Sequence, residues 1–314
     1  MSKNDEKAVK EPKFKEKMNV STKPLMILFF CAMLVSVVLR ALQMAKYIDP
    51  VTGFYTGGEA VKYVLYAIIA LSAVVFLLVS YLSADSGKIS LYKTKNSSLG
   101  FVCAVMGFTF FYDSFNSFGN SVSNVATSNS ANYSSFMTSG TIPSLLQSFF
   151  AVLSAVFFLI LAKDMIKGTD TASKRKVLAT MPVWWAGARL IGRFVRQISF
   201  MEISDLFLEL LMLACMLIFF MALAQVITGV YSDGFRWRII GFGYTASLLA
   251  LTTSLPRLIF SFVSDGAFIN SLHPFHLSDL VFALFALTLI LCHKPESIVE
   301  GSANEQGESQ AQAE

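Results

Sequence analysis

Eight apolar runs separated by polar stretches divide this chain, at 24–44, 61–83, 99–115, 143–163, 178–198, 203–228, 239–263 and 277–293. Each approaches the roughly 20 residues that a helix needs to cross about 30 Å of hydrocarbon. The pattern therefore predicts eight transmembrane helices. The run at 99–115 is the shortest and the one at 178–198 the most charged, so seven helices is the rival count.

Loop charge decides between them, because Lys and Arg collect on the cytoplasmic side. Seven lysines precede the first run, and no cleavage site follows that run convincingly. The second loop carries Lys88, Lys93 and Lys95, the fourth Lys167, Lys174, Arg175 and Lys176, and the sixth Arg236 and Arg238. The intervening loops hold little beyond Lys46. Both termini are thus expected in the cytoplasm, with eight spans; seven would break the alternation. Residues 1–23 read as a Lys-rich disordered tail, 24–293 as the transmembrane domain, and 294–314 as an acidic disordered tail. On the outer side, AKYIDPVTGFYTGGEA has the glycines and Asp-Pro of a compact turn. The uncharged, Ser- and Asn-rich stretch 114–142 reads as a long external loop, disordered or loosely capping the bundle.

Composition agrees with the pattern. The chain is 54% hydrophobic and 15% charged, with mean hydropathy +0.59, against about 25% charged in soluble domains. This is the composition of an integral membrane protein, and the lipid bilayer is its first partner. The net charge of +4 lies mostly in one set of loops, where it sets topology. That distribution excludes a nucleic-acid partner. Cys31, Cys103, Cys215 and Cys292 lie in apolar runs without metal or redox spacing, and read as small packing residues. The style of short loops and an uncleaved anchor points to a bacterial inner membrane.

Charges inside the runs change the picture further. Arg189, Arg193 and Arg196 fall at i, i+4 and i+7 on one helical face, and Glu202, Asp205 and Glu209 at i, i+3 and i+7 on another. A hairpin folded about Ser199 would pair Arg196 with Glu202, Arg193 with Asp205 and Arg189 with Glu209. Two further hairpins repeat the theme, with Arg40 before Glu59 and Arg257 before Asp279; the second offers Asp113 and Gln147 instead. The fold expectation is therefore an all-α polytopic bundle of four parallel helical hairpins with a weak internal repeat. Arg189 lies eleven residues beyond Leu178, roughly 16 Å along a helix and near the bilayer midplane.

An ionisable residue at mid-membrane costs about 2.5–3.5 kcal/mol on insertion scales, which makes it a functional candidate. Arg189, Arg193, Glu209, Arg40, Arg257 and Asp113 are the candidate ligand-binding residues. Arg196, Glu202, Asp205, Glu59 and Asp279 are assigned to structural ion pairs, Asp205 and Asp279 also as first-turn acids with Ser204 and Ser278 as caps. Two function classes follow: binding or transport of a small polar or anionic solute or lipid head group, or a non-catalytic scaffold or subunit with a membrane protein partner. Trp184 and Trp185 read as interface anchors. His273, His276 and Asp279 make a weak metal set that lacks a fourth ligand, so no metal or cofactor is expected. Without HExxH, GxSxG or P-loop spacing, enzymatic chemistry is not expected either.

Overall fold

The computed structural model describes residues 22–48, 55–83, 95–127, 141–195, 203–230, 235–263 and 275–292. They form eight helices: α1 (Thr22–Lys46), α2 (Glu59–Leu82), α3 (Ser97–Thr127), α4 (Thr141–Lys167), α5 (Met181–Val195), α6 (Ile203–Ile227), α7 (Phe235–Val263) and α8 (Leu277–Cys292). A single helical turn, Lys176–Ala179, precedes α5. The all-α expectation holds. The helices α1, α2, α3, α4, α6 and α7 are long and apolar enough to cross a membrane. The other two, with 15 residues in α5 and 16 in α8, reach roughly 22 and 24 Å at about 1.5 Å per residue. Both end where the described residues stop, at 195 and 292.

The outer surface is apolar, as lipid demands. Phe101, Phe108 and Phe115 stand exposed at seven-residue intervals on α3, and Ile27, Leu34 and Val38 stand exposed along α1. The opposite stripe of α3, with Gly100, Cys103, Gly107, Phe110 and Ser114, turns inward. In a soluble protein such a surface would aggregate. Inside a bilayer it is solvated, and this is a multi-pass membrane protein.

Helices α3 to α8 close into a ring, each touching the next and α8 returning to α3. The α1 and α2 helices pack on one another and on α7, where the rings of Phe29, Phe76 and Tyr244 meet with centroids 5.3–6.1 Å apart. Consequently α7 touches α1, α2, α6 and α8.

The closest packing joins α3 to α4. No general hydrophobic force draws helices together in lipid, so small residues that admit close approach carry the association. Ala151, Ala155 and Ala162 are buried on α4. A Cβ on Gly107 would lie 3.0 Å from the Leu159 side chain and 3.2 Å from the Ala155 carbonyl oxygen. At Ser114 and Ser148 the two hydroxyls bond reciprocally to the opposite backbones, Ser114 Oγ to the Ser148 carbonyl at 2.9 Å and Ser148 Oγ to the Ser114 carbonyl at 2.8 Å.

These contacts correct the expected loop at 114–142. The α3 helix runs through its first part to Thr127 and α4 begins at Thr141; residues 128–140 lie outside the described set. Serine and asparagine disfavour isolated helices by competing for the backbone, but here the serines bond across to α4. Gln147 Nε2 also donates to Ser117 Oγ at 3.3 Å, and Ser121 Oγ to the Ser117 carbonyl at 2.8 Å. Tertiary contact overrides propensity. The run at 178–198 is corrected too, breaking at Thr180 between the short turn and α5. Pro182 has no amide proton for the Leu178 carbonyl, which favours a break here, although α7 runs on through Pro256.

The compact first loop is upheld where it is described. Ile48 and Tyr55 form an antiparallel bridge, and the Thr56 amide donates to the Tyr47 carbonyl at 2.9 Å. Gly58, at φ +74°, packs so closely on the Tyr47 ring that a Cβ would lie 2.5 Å from it. At the other end of the bundle the Asp164 carboxylate accepts bonds from Thr169 Oγ1 and the amides of Thr171 and Ala172, at 2.6–2.7 Å. It ties the chain down as α4 ends.

Gly107→Leu is expected to destabilise the protein by about 1–3 kcal/mol through overpacking, read as a lower melting temperature in detergent. Phe108→Leu, on the lipid side of the same turn, should stay within about 0.5 kcal/mol.

Candidate functional site

Six ionisable side chains from five helices meet inside the ring: Asp113 of α3, Arg189 and Arg193 of α5, Glu209 of α6, Arg257 of α7 and Asp279 of α8. None is more than 7% exposed. Arg193 and Arg257 come late in α5 and α7, Glu209 and Asp279 early in α6 and α8, and Asp113 and Arg189 near the middle of α3 and α5. Their charges balance among the described residues, with three guanidinium groups against three carboxylates.

Arg189 is the hub. Its Nη1 and Nη2 donate to Asp279 Oδ1 and Oδ2 at 2.5 and 2.8 Å, a bidentate pair across 90 residues of sequence. Nη2 also reaches Glu209 Oε1 at 3.4 Å. Below the guanidinium lies the Trp185 ring, 5.6 Å from the Arg189 Cζ. Trp185 is held in turn by the edge of Phe110, at 4.6 Å between centroids. Planar, delocalised arginine suits this combination of fork and stacked face better than lysine would.

Glu209 is the second node. Arg193 Nε and Nη2 both donate to its Oε1, at 2.9 and 2.7 Å, and Arg257 adds electrostatic attraction from α7. Asp113 is held differently: it lies within electrostatic reach of Arg189 and Asp279, beside the Ser278 hydroxyl. It forms no salt bridge among the described residues, and its Oδ2 has no hydrogen-bond partner there. Arg189 Nε is likewise buried without a bond, while the Ser278 hydroxyl lies within hydrogen-bonding reach of the Asp113 carboxylate.

The ladder drawn from sequence is therefore partly redrawn. Arg189 does approach Glu209, but its closer partner is Asp279, and Arg193 takes Glu209. Arg196 and Glu202 lie outside the described residues, as does the side chain of Asp205. Arg257 joins the Glu209 node from α7. Arg40 is buried on α1, where Nη1 donates to Gln43 Oε1 at 2.9 Å and Tyr55 Oη at 2.7 Å. Glu59 is exposed at the start of α2 and stays out of the cluster. His273 lies outside the described residues; His276 is half-buried, and its carbonyl accepts the Asp279 amide at 3.2 Å.

No protein-family model, curated protein or solved structure matches the chain. The site must be read from its own chemistry.

Two side chains were missed or misread in the sequence. Trp185 is fully buried, not an interface anchor: it faces inward one helical turn before Arg189, on the same face. Trp184 is exposed and stacks on Phe150 with centroids 6.0 Å apart. Ser278 is the second residue of α8 and not its cap; its hydroxyl turns towards Asp113, while Asp279 does sit in the first turn. The i−4 spacing of Trp185 from Arg189 was a usable signal. For Ser278 there was none.

Removing one partner of a buried ion pair leaves the other charge stranded, at a cost of about 3–5 kcal/mol. Glu209→Gln is expected to fall in that range by thermal or denaturant unfolding in detergent, and Glu59→Gln to stay within about 0.5 kcal/mol. In an Arg193/Glu209 double-mutant cycle, coupling should be about 0.5–3 kcal/mol.

Proposed function

We propose that this multi-pass membrane protein binds a small anionic or zwitterionic solute, or the head group of a lipid, at the Asp113–Arg189–Ser278 face of its buried charge cluster, and carries it across the bilayer. In this reading all eight helices cross the membrane as four hairpins, with both chain ends cytoplasmic as the basic loops indicate. One observation carries the proposal. Two polar atoms of the cluster, Asp113 Oδ2 and Arg189 Nε, meet no hydrogen-bond partner of good geometry among the described residues, with the Ser278 hydroxyl close to the Asp113 carboxylate. A network that serves packing alone is expected to satisfy all its members. An acceptor on Asp113 and a donor on Arg189 left open suit a ligand carrying both kinds of group.

A second reading has its own support. The burial and charge balance of the six residues suit a membrane scaffold or subunit in which ion pairs fix how helices meet.

Native mass spectrometry of gently extracted protein separates the two. Binding predicts a reproducible small molecule or lipid that is lost in Arg189→Lys, which keeps the charge but removes the fork and Nε. A stoichiometric protein partner with no small ligand, unchanged in that variant, would overturn transport in favour of the scaffold.

A further inference from the structure

The end of α4 carries a second group of charges, mostly of one sign and open to the outside. Lys163, Ile166 and Lys167 are exposed at i, i+3 and i+4, which puts them on one face of the helix. The Asn96 amide donates to the Met165 carbonyl at 3.1 Å and so holds exposed Lys95 beside the same turn. Beyond α4 come Lys174, Arg175 and Lys176, also exposed, and then Val177, an apolar side chain 73% exposed. None of these six cations forms a salt bridge among the described residues. Two acids lie in the segment 163–179. Asp170 is exposed, and Asp164 is buried with its oxygens already bonded to Thr169 and to the amides of Thr171 and Ala172.

Basic residues at a bundle end can serve topology alone, and for that purpose their backbone need not be held. Here it is held. Gly168, at φ +73°, ends α4, with its own amide and that of Thr169 on the Asp164 carbonyl at 2.7 and 3.2 Å. The Asp164 carboxylate then ties down the next residues, Ala172 is buried, and the Arg175 amide returns to the Ala172 carbonyl at 3.1 Å. The turn Lys176–Ala179 that follows touches α4, α5 and α6. One buried carboxylate thus fixes the backbone carrying Lys174, Arg175 and Lys176 at the end of α4 that carries Lys163 and Lys167.

Ile166 and Val177, exposed among the cations, say what kind of anion fits. A free phosphate has no use for them. A phospholipid presents an anionic head and acyl chains to the same surface, and Lys and Arg stems lie along apolar groups while their charged ends reach outward. We propose that this surface binds the head group of an anionic phospholipid, with its phosphate held by Lys174, Arg175, Lys176 and the two α4 lysines and its chains beside Ile166 and Val177. The bilayer around the protein supplies the ligand. The site is separate from the buried charge cluster and does not depend on what that cluster carries. Asp164 is a positioning residue: it meets no lipid and sets the backbone that presents the cations.

The test uses the full chain, delipidated in detergent and titrated with single lipids, with bound lipid counted by native mass spectrometry. Phosphatidylglycerol is expected to bind about tenfold or more tightly than phosphatidylcholine, which has the same phosphate but no net charge, and to weaken as salt rises. The variant Lys174→Gln/Arg175→Gln/Lys176→Gln should lose that preference, at about fivefold per cation removed. Arg236→Gln/Arg238→Gln, at the start of α7, should keep it. Equal loss in both variants, or no preference in wild type, overturns the site. Displacement of the lipid by inorganic phosphate at constant ionic strength overturns the lipid as ligand in favour of the free anion. Asp164→Asn separates a built site from charge alone. It removes a negative charge, so charge alone predicts tighter binding of the anionic lipid, whereas loss of the bonds that hold the loop predicts weaker binding. Tighter or unchanged binding overturns the proposal. Should Asp164→Asn fail to fold, Thr169→Val removes one of the bonds and no charge: weaker binding supports the built site, and wild-type affinity overturns it.

Discussion

A guanidinium group in an apolar bundle must be neutralised where it stands, and most of this structure can be traced to how Arg189 meets that demand. One arginine at mid-helix would cost about 2.5–3.5 kcal/mol on insertion scales if left alone. The α5 helix, with 15 residues and two arginines, cannot offset that through its own apolar surface. Its acids come from elsewhere: Asp279 from α8, Glu209 from α6 and Asp113 from α3. The ring of six helices therefore closes around a charge requirement. A bundle held only by apolar contact in lipid would have little reason to prefer this neighbour order, since lipid tails are as apolar as leucine.

The remaining packing keeps those acids in reach. The reciprocal Ser114–Ser148 bonds sit one residue beyond Asp113, so the α3–α4 contact sets the rotation of α3 at the site. Trp185, locked by Phe110 on one side, gives the Arg189 plane a floor and ties α5 to α3 a second time. The α1–α2 pair acts at one remove. It packs on α7 and has its own buried arginine, Arg40, with Gln43 and Tyr55 as partners, and so braces the helix that supplies Arg257.

How far the sequence made this legible follows from which contacts are local. Helical spacing alone put Arg189 and Arg193 on one face and opposed Arg189 to Glu209, because those residues lie within one connection of each other, but it gave Arg193 to Asp205 where the structure gives it Glu209. It could not rank Asp279 as the closer partner of Arg189, since no local rule links positions 90 residues apart. The Ser- and Asn-rich end of α3 misled for a related reason: intrinsic preference there is for loop, and the bonds that reverse it come from α4. Segment lengths misled at Pro182, where apolar composition continued across a break that the missing proline amide favours. What could be read were periods and depths. What could not was the identity of the partner across the ring.

Replacing a buried ion pair by well-packed apolar residues is often neutral or stabilising, so three arginines and three acids are a poor choice if stability is the whole purpose. Their arrangement offers another property. Arg189 has Asp279 in direct contact, Glu209 close by and Asp113 within reach; Glu209 has Arg193, Arg189 and Arg257. An ion that loses one partner in such a cluster still has another. Exchanging partners is then far cheaper than breaking a lone buried pair, for which about 3–5 kcal/mol would be lost. Since the three acids sit on three different helices, each exchange of partner alters which helices are drawn together. A change at Arg189 is in this way felt by α5, α6 and α8 at once.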